Sequence, residues 1–236
     1  MTAGIILAGG DLTPEFAEKI IEEYSSRGEV FLAAADAGLE ICDRAGRTPD
    51  LLLGDFDTVK REVLQVYLGR DGLSLEQHDP VKDASDLELC VDSLLTRGIR
   101  KAVILGALGG RADHTLANIR LTYYGRRKGM DLAVLDPQNR IRCFSAEGSG
   151  SFSIPRSSQW GKYVGLFPIG AAAVTISLEG FRYPLKEYEL SDASSPSFTI
   201  SNEITGEEGT VRFRGPAGAG LIVIESKDSR KSGKYR

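Results

Sequence analysis

Pro49-Asp50-Leu51-Leu52-Leu53-Gly54-Asp55-Phe56-Asp57-Thr58 sets three consecutive leucines against a glycine and two flanking aspartates. An unbroken apolar run without polar alternation reads as a strand buried on both faces, the mark of a parallel sheet covered by helices. The pattern recurs outward from it. Short apolar runs at 5–8, 30–35, 102–105 and 132–135 are bounded by Gly and Asp and read as further buried strands. Between them lie amphipathic stretches at 14–27, 86–97 and 115–128. In the first, Phe16, Ala17, Ile20, Ile21 and Tyr24 fall on one face of a 3.6-residue period, and Pro14 suits a first helical turn. Strands alternating with helices predict an α/β unit with a mostly parallel sheet.

The texture changes after about residue 146. Helical periodicity stops, and short runs at 151–155, 162–167, 173–178, 198–201, 210–213 and 221–225 stand between Gly, Ser and Pro, which predicts an all-β sandwich. Charge divides at the same place: residues 1–145 carry 18 basic and 23 acidic side chains, residues 146–236 carry 11 and 10. The expected organisation is therefore an α/β catalytic domain over 1–145, a β-sandwich over 146–226 and a basic tail over 227–236.

Composition removes several classes. The 236 residues are 42% hydrophobic and 26% charged, with a net charge of −4, which excludes a disordered or fibrous chain and argues against a nucleic-acid surface. Two histidines, His78 and His114, are too few for an imidazole-built zinc site. Cys42, Cys90 and Cys143 sit in apolar stretches without a CxxC pair and read as buried thiols of a reducing compartment. The N-terminus lacks a basic region ahead of its short apolar run, and no stretch of about 18 apolar residues occurs, so a cytoplasmic protein with no membrane partner is expected.

The chemistry is expected where strands of a parallel sheet end. Asp36 follows the run at 30–35, and Asp55 and Asp57 follow the leucines. Asp83 and Asp86 stand in Lys82-Asp83-Ala84-Ser85-Asp86 ahead of a helix, and Asp113 stands in Gly109-Gly110-Arg111-Ala112-Asp113-His114. Each element alone has a plain reading, such as a helix cap for Asp86, a capping or packing role for His114, or a turn for Gly109-Gly110. Three acidic strand-end loops together call for a cation, and Mg²⁺ uses one or two carboxylates together with phosphate oxygens. Arg111 supplies a fork for those oxygens. No GxxxxGK[ST] and no kinase-type HRD or DFG element occurs. An Asp-x-Asp-Thr after a strand also fits an aspartyl-nucleophile phosphatase, although the interval from Asp57 to Asp83 is short for one.

Taken together, the motifs resemble the thiamine pyrophosphokinase family. They are Ala35-Asp36-Ala37-Gly38, the run 49–58, Asp83-Ala84-Ser85-Asp86, the run 106–114 with Asn118 beyond it, and, in the second half, Gly165-Leu166-Phe167-Pro168-Ile169-Gly170, the run 180–185 and Ser201-Asn202-Glu203. The resemblance implies ATP-dependent transfer of a pyrophosphoryl group to the hydroxyethyl oxygen of thiamine, giving thiamine diphosphate and AMP. It implies Mg²⁺ near Asp55, Asp57 and Asp86, and ATP near Asp36, Asp83, Ser85, Arg111 and Asp113. Asp57, Asp86, Arg111 and Asp113 are the expected catalytic groups, and Lys82, Ser201 and Asn202 would line the thiamine pocket. A homodimer with the active site at the subunit interface is expected. Two features depart from the family pattern: Ala37 replaces the middle glycine of Asp-Gly-Gly, and 221–224 carries no aromatic residue to stack on thiamine. A different acceptor such as a pterin-like alcohol, or a non-catalytic ligand sensor, are the competing functions.

Overall fold

The computed structural model describes residues 2–78, 83–145, 148–191, 193 and 196–228. The chain forms two compact units, residues 1–136 and 137–236.

The first unit runs β1 (Ala3–Leu7), α1 (Pro14–Ser25), β2 (Val30–Ala35), α2 (Gly38–Arg44), β3 (Leu51–Gly54), α3 (Arg61–Tyr67), β4 (Ser74–Gln77), α4 (Asp86–Thr96), β5 (Lys101–Leu105), α5 (Ala112–Arg127) and β6 (Asp131–Leu135). The strands pair in parallel in the order β6-β5-β1-β2-β3-β4. Leu51, Leu52 and Leu53 are all fully buried, as an apolar run with helices on both faces requires. The chain winds from β1 out to β4 and then returns to place β5 on the other side of β1. That reversal makes a crevice beyond the C-terminal ends of β1 and β5, where open parallel sheets bind ligands. α1 starts as its sequence predicts: Thr13 accepts the Phe16 N–H at 3.3 Å and Pro14 opens the helix.

The second unit is a sandwich of antiparallel strands: β7 (Asn139–Ser145), β8 (Ser149–Pro155), β9 (Tyr163–Ile169), β10 (Ala173–Glu179), β11 (Leu185–Ser191), β12 (Asn202–Glu203), β13 (Glu208–Arg214) and β14 (Gly220–Ser226). One sheet has the order β12-β9-β14-β7 and the other β11-β10-β13-β8. Alternate residues of both, including Val164, Leu166, Ile176, Val211, Leu221 and Val223, form its core. Phe144 and Phe152 stack within it at 3.8 Å between ring centroids.

Several expectations change. The units divide at Asp136 and Pro137, not at 145/146, because β7 pairs along its whole length with β14. The segment 198–201 is a turn, not a strand: Thr199 spends its hydroxyl on the Leu166 carbonyl, and Ser201 has a φ of 58°, which ends extended backbone. α2, α3, β4, β7, β11 and β12 were not expected. Asp79, Pro80, Val81 and Lys82, and residues 229–236 of the basic tail, lie outside the described residues. All three cysteines are buried, and burial pushes the Cys42 thiol up to about 12. No helix among the described residues is long and apolar enough to cross a membrane.

Candidate active site

At the crevice of the first unit lies a cleft of about 450 Å³, bordered by Gly9 and Gly10 after β1, Asp36 and Ala37 after β2, Thr58 after β3, Ser85 and Asp86 at α4, the loop after β5, and Arg111, His114 and Asn118 of α5. The loops contribute backbone and acids, and α5 contributes the cation and amide.

Asp36 is the most constrained of the acids. Its backbone has a φ of 45°, and its N–H donates to the Leu53 carbonyl at 3.0 Å. Its Oδ1 accepts the Phe56 N–H at 3.2 Å, tying the loop after β3 to the end of β2. Burial pushes its carboxyl up to about 7, helped by a hydrogen bond and like charge from Asp86 and by the charge of Asp55, while the Phe56 amide works the other way. Ala37, the departure from the expected glycine, has a φ of −60° and takes this position without strain.

Ser85 is the N-cap of α4, accepting the Glu88 N–H at 3.2 Å, and this places Asp86 as the first helical residue, facing Asp36. Asp55 turns its Oδ1 onto the Asp57 N–H at 3.1 Å. Asp83 is exposed in the bend before α4. Arg111 and Asp113 form a two-bond pair at 3.1 and 2.6 Å, and the Arg111 guanidinium holds the Asp113 carboxyl down at about 2. Both side chains are largely exposed, so the pair is free to open for an incoming anion.

Asp36, Ser85, Asp86 and Arg111 therefore share the cleft, with Asp55 close enough to Asp36 to influence its charge. Asp57, Asp83 and Asp113 do not border it, Asp113 reaching it only through its pair with Arg111, and Lys82 lies outside the described residues. His114, Asn118 and Thr58 do border it. His114 and Asn118 stand four apart on one face of α5, and Arg111 immediately precedes that helix, a spacing that was there to be read.

The donor set fits Mg²⁺ in the way nucleotide sites hold it. Among the described residues no three His, Cys, Asp or Glu side chains form a ready cage. Two half-buried carboxyls sharing a hydrogen bond nevertheless hold a position where a cation relieves their repulsion and phosphate oxygens complete the shell.

In the second unit a separate hollow of about 490 Å³ is walled by Tyr163, Gly165, Phe167, Ile200, Ser201 and Ile224, with Ser226 and Asp228 at its edge. Ser201 borders this hollow. Asn202 does not: it is buried, and its amide is spent on the Tyr183 N–H at 3.0 Å and the Tyr183 carbonyl at 2.9 Å.

Family comparison assigns both units. The catalytic-domain model of thiamin pyrophosphokinase matches residues 24–134, and that family's vitamin B1 binding domain matches residues 151–217. The chain belongs to the thiamin pyrophosphokinase family. It is an enzyme, a diphosphotransferase. It is 29% identical over 225 residues to a thiamine pyrophosphokinase of Bacillus subtilis, covering 94% of this chain and 98% of that one. To a rice thiamine pyrophosphokinase 1 it is 33% identical over 174 residues, 70% of this chain and 62% of that one. The crystal structure of the Bacillus subtilis thiamine pyrophosphokinase superposes with a TM-score of 0.78 over 97% of this chain and 100% of that one, at 29% identity. A thiamin pyrophosphokinase from Candida albicans shares the fold at 16% identity, with a TM-score of 0.73 over 95% of this chain and 89% of that one.

Proposed function

We propose that this enzyme transfers the pyrophosphoryl group of ATP to the hydroxyethyl oxygen of thiamine, releasing AMP. The observation that carries the reading is the cleft at the strand reversal, where the Asp36–Asp86 pair, the Arg111 guanidinium and a glycine-bordered floor surround a space of about 450 Å³. In the transfer, the thiamine oxygen bonds to the β-phosphorus of ATP, the bond from that phosphorus to the α–β bridging oxygen breaks, and the hydroxyl proton passes to a carboxylate of the cleft. Such chemistry depends on holding donor and acceptor in line and on stabilising spread negative charge.

Asp36 and Asp86, with Asp55 beside them, are the residues of the cleft that would hold Mg²⁺, which screens the phosphate charge when bound; Asp57, on the same loop as Asp55 but outside the cleft's lining, is the further metal neighbour that the family pattern implies. Arg111 leaves Asp113 to meet the transferred phosphates, a bidentate partner of fixed geometry. Gly9 and Gly10 let the phosphate chain approach the backbone. The hollow with Tyr163, Phe167 and Ser201 suits a flat, cationic heteroaromatic acceptor, with aromatic rings beside it in place of the aromatic that 221–224 lacks. A homodimer in the cytoplasm with its active site at the subunit interface belongs to the same proposal, and solution mass by light scattering tests the dimer.

The experiment is turnover of purified protein with thiamine, ATP and Mg²⁺. Thiamine diphosphate is the expected product, EDTA removes the activity, and Asp86→Asn lowers kcat/KM by roughly a hundredfold or more while the protein stays folded by circular dichroism. Full turnover in EDTA, or an Asp86→Asn enzyme as active as the parent, contradicts the assignment of the metal and of Asp86.

A further inference from the structure

The loop after β5 reads Gly106-Ala107-Leu108-Gly109-Gly110, and two of its carbonyls are gripped by side chains of α5. Asn118, only 7% exposed, donates from Nδ2 to the Ala107 carbonyl at 2.8 Å. Thr115 donates from Oγ1 to the Gly109 carbonyl at 3.0 Å. The Gly106 carbonyl is taken by the Gly10 N–H at 3.0 Å, so the loop is held from β1 as well.

These peptide units are trans, so the N–H of each points opposite to its carbonyl. Drawing the Ala107 carbonyl to Asn118 turns the Leu108 N–H away from α5, and drawing the Gly109 carbonyl to Thr115 does the same to the Gly110 N–H. Neither N–H has an acceptor among the described residues. Gly109 and Gly110 have φ values of 89° and 63°, and two successive left-handed residues are what a loop needs to reverse its peptides this way. Gly110 borders the cleft beside Arg111 and Asn118.

We propose that Asn118 and Thr115 are positioning residues for the nucleotide. They hold the carbonyls of loop 106–110 against α5, so that the loop offers amide donors, and not lone pairs, to the phosphate oxygens next to Arg111. The identity of the anion rests on the pyrophosphoryl-transfer reading above; the holding of the loop does not. A residue serving only the stability of α5 would act on the amount of folded enzyme. A residue that orients phosphate-binding donors acts on ATP and leaves thiamine alone.

The test reads the two substrates separately, with ATP binding in Mg²⁺ also measured by calorimetry without thiamine. Asn118→Ala and Thr115→Val each raise the KM and Kd for ATP by about tenfold, the worth of one hydrogen bond, and leave the KM for thiamine within about twofold. Thr115→Ser keeps the hydroxyl and restores ATP affinity lost in Thr115→Val. Unchanged ATP affinity in the folded variants overturns the proposal. So does a fall in kcat with both KM values unmoved, the signature of a smaller folded fraction. Should Asn118→Ala fail to fold, the Thr115→Val and Thr115→Ser pair decides the matter. A parent protein that binds ATP in a Thr115-dependent manner but forms no thiamine diphosphate refutes the functional reading and supports this one.

Discussion

Asp36 and Gly54 constrain each other closely at the ends of β2 and β3. Gly54 has a φ of 153°, and a Cβ there would overlap the Asp36 carboxyl. Gly54→Ala therefore displaces Asp36, and with it the hydrogen bond to Phe56 that seats the acidic loop. It should cost about 1–3 kcal/mol in urea unfolding and lower kcat/KM by at least about tenfold; parental activity in a folded variant would show that Asp36 is not held in place by this contact. At this scale much of the site was legible. Acids that terminate buried strands, together with an arginine next to glycines, point jointly to what gathers at the sheet's end, where each alone has a plain reading. Asn118 was legible only as part of a motif, because its work is a hydrogen bond to a backbone carbonyl that no residue pattern records. Asp83 shows the reverse: its acid ahead of a helix stands out in the sequence, while the structure gives the capping of α4 to Ser85 and leaves Asp83 exposed in the bend before it.

At the scale of elements, long periodic segments were readable and short ones were not. α1 and α4 have several turns of apolar stripe, and α5 has sixteen residues although it buries Asn118, Leu121, Thr122 and Gly125 and leaves Leu116 exposed; α2 and α3 have seven residues each, too few for a period to declare itself. The turn at 198–201 imitates a strand because Phe198 and Ile200 alternate with polar residues; Phe198 in fact stacks on Tyr188 at 4.4 Å. Two carboxylates join elements in ways that composition does not disclose. Glu18 on α1 accepts from Arg47, beyond α2, at 2.9 Å, and this bond holds the Glu18 carboxyl below its usual 4.5. A lowered folded-state pKa gives stability that is present above pH 4.5 and is lost as the pH falls through the folded value. Because both side chains are partly exposed, Arg47→Met should destabilise by only about 0.5 kcal/mol near pH 7 and by less near pH 3, read from urea midpoints. An equal effect at both values would mean that packing, not charge, is responsible. In the sandwich, Glu225 is fully buried on β14 and accepts from Arg140 at 2.8 and 2.7 Å, from Arg142 at 3.0 Å and from the Trp160 N–H at 3.1 Å. Glu225→Ala leaves two guanidiniums without their counter-charge and should cost about 3–5 kcal/mol; a loss under about 1 kcal/mol would show that water replaces the carboxylate.

For the whole molecule, the division of charge along the chain is a division of labour. The acidic excess belongs to the first half, where a subset of aspartates gathers at the strand reversal, and the nearly neutral second half supplies a hollow lined with aromatic and aliphatic groups. Two units were legible from the change of texture, but their boundary was not, because β7 carries the polar and apolar mixture of an ordinary strand and shows its allegiance only through its partner β14. In the proposed reaction both outer phosphates of ATP leave together for thiamine. ATP carrying distinguishable isotopic labels at its β- and γ-phosphorus tests it directly, with the products separated and read by mass. The account predicts both labels in thiamine diphosphate and none in AMP. A product holding only the γ label, with ADP released, or thiamine left unlabelled while ATP is consumed, would contradict it.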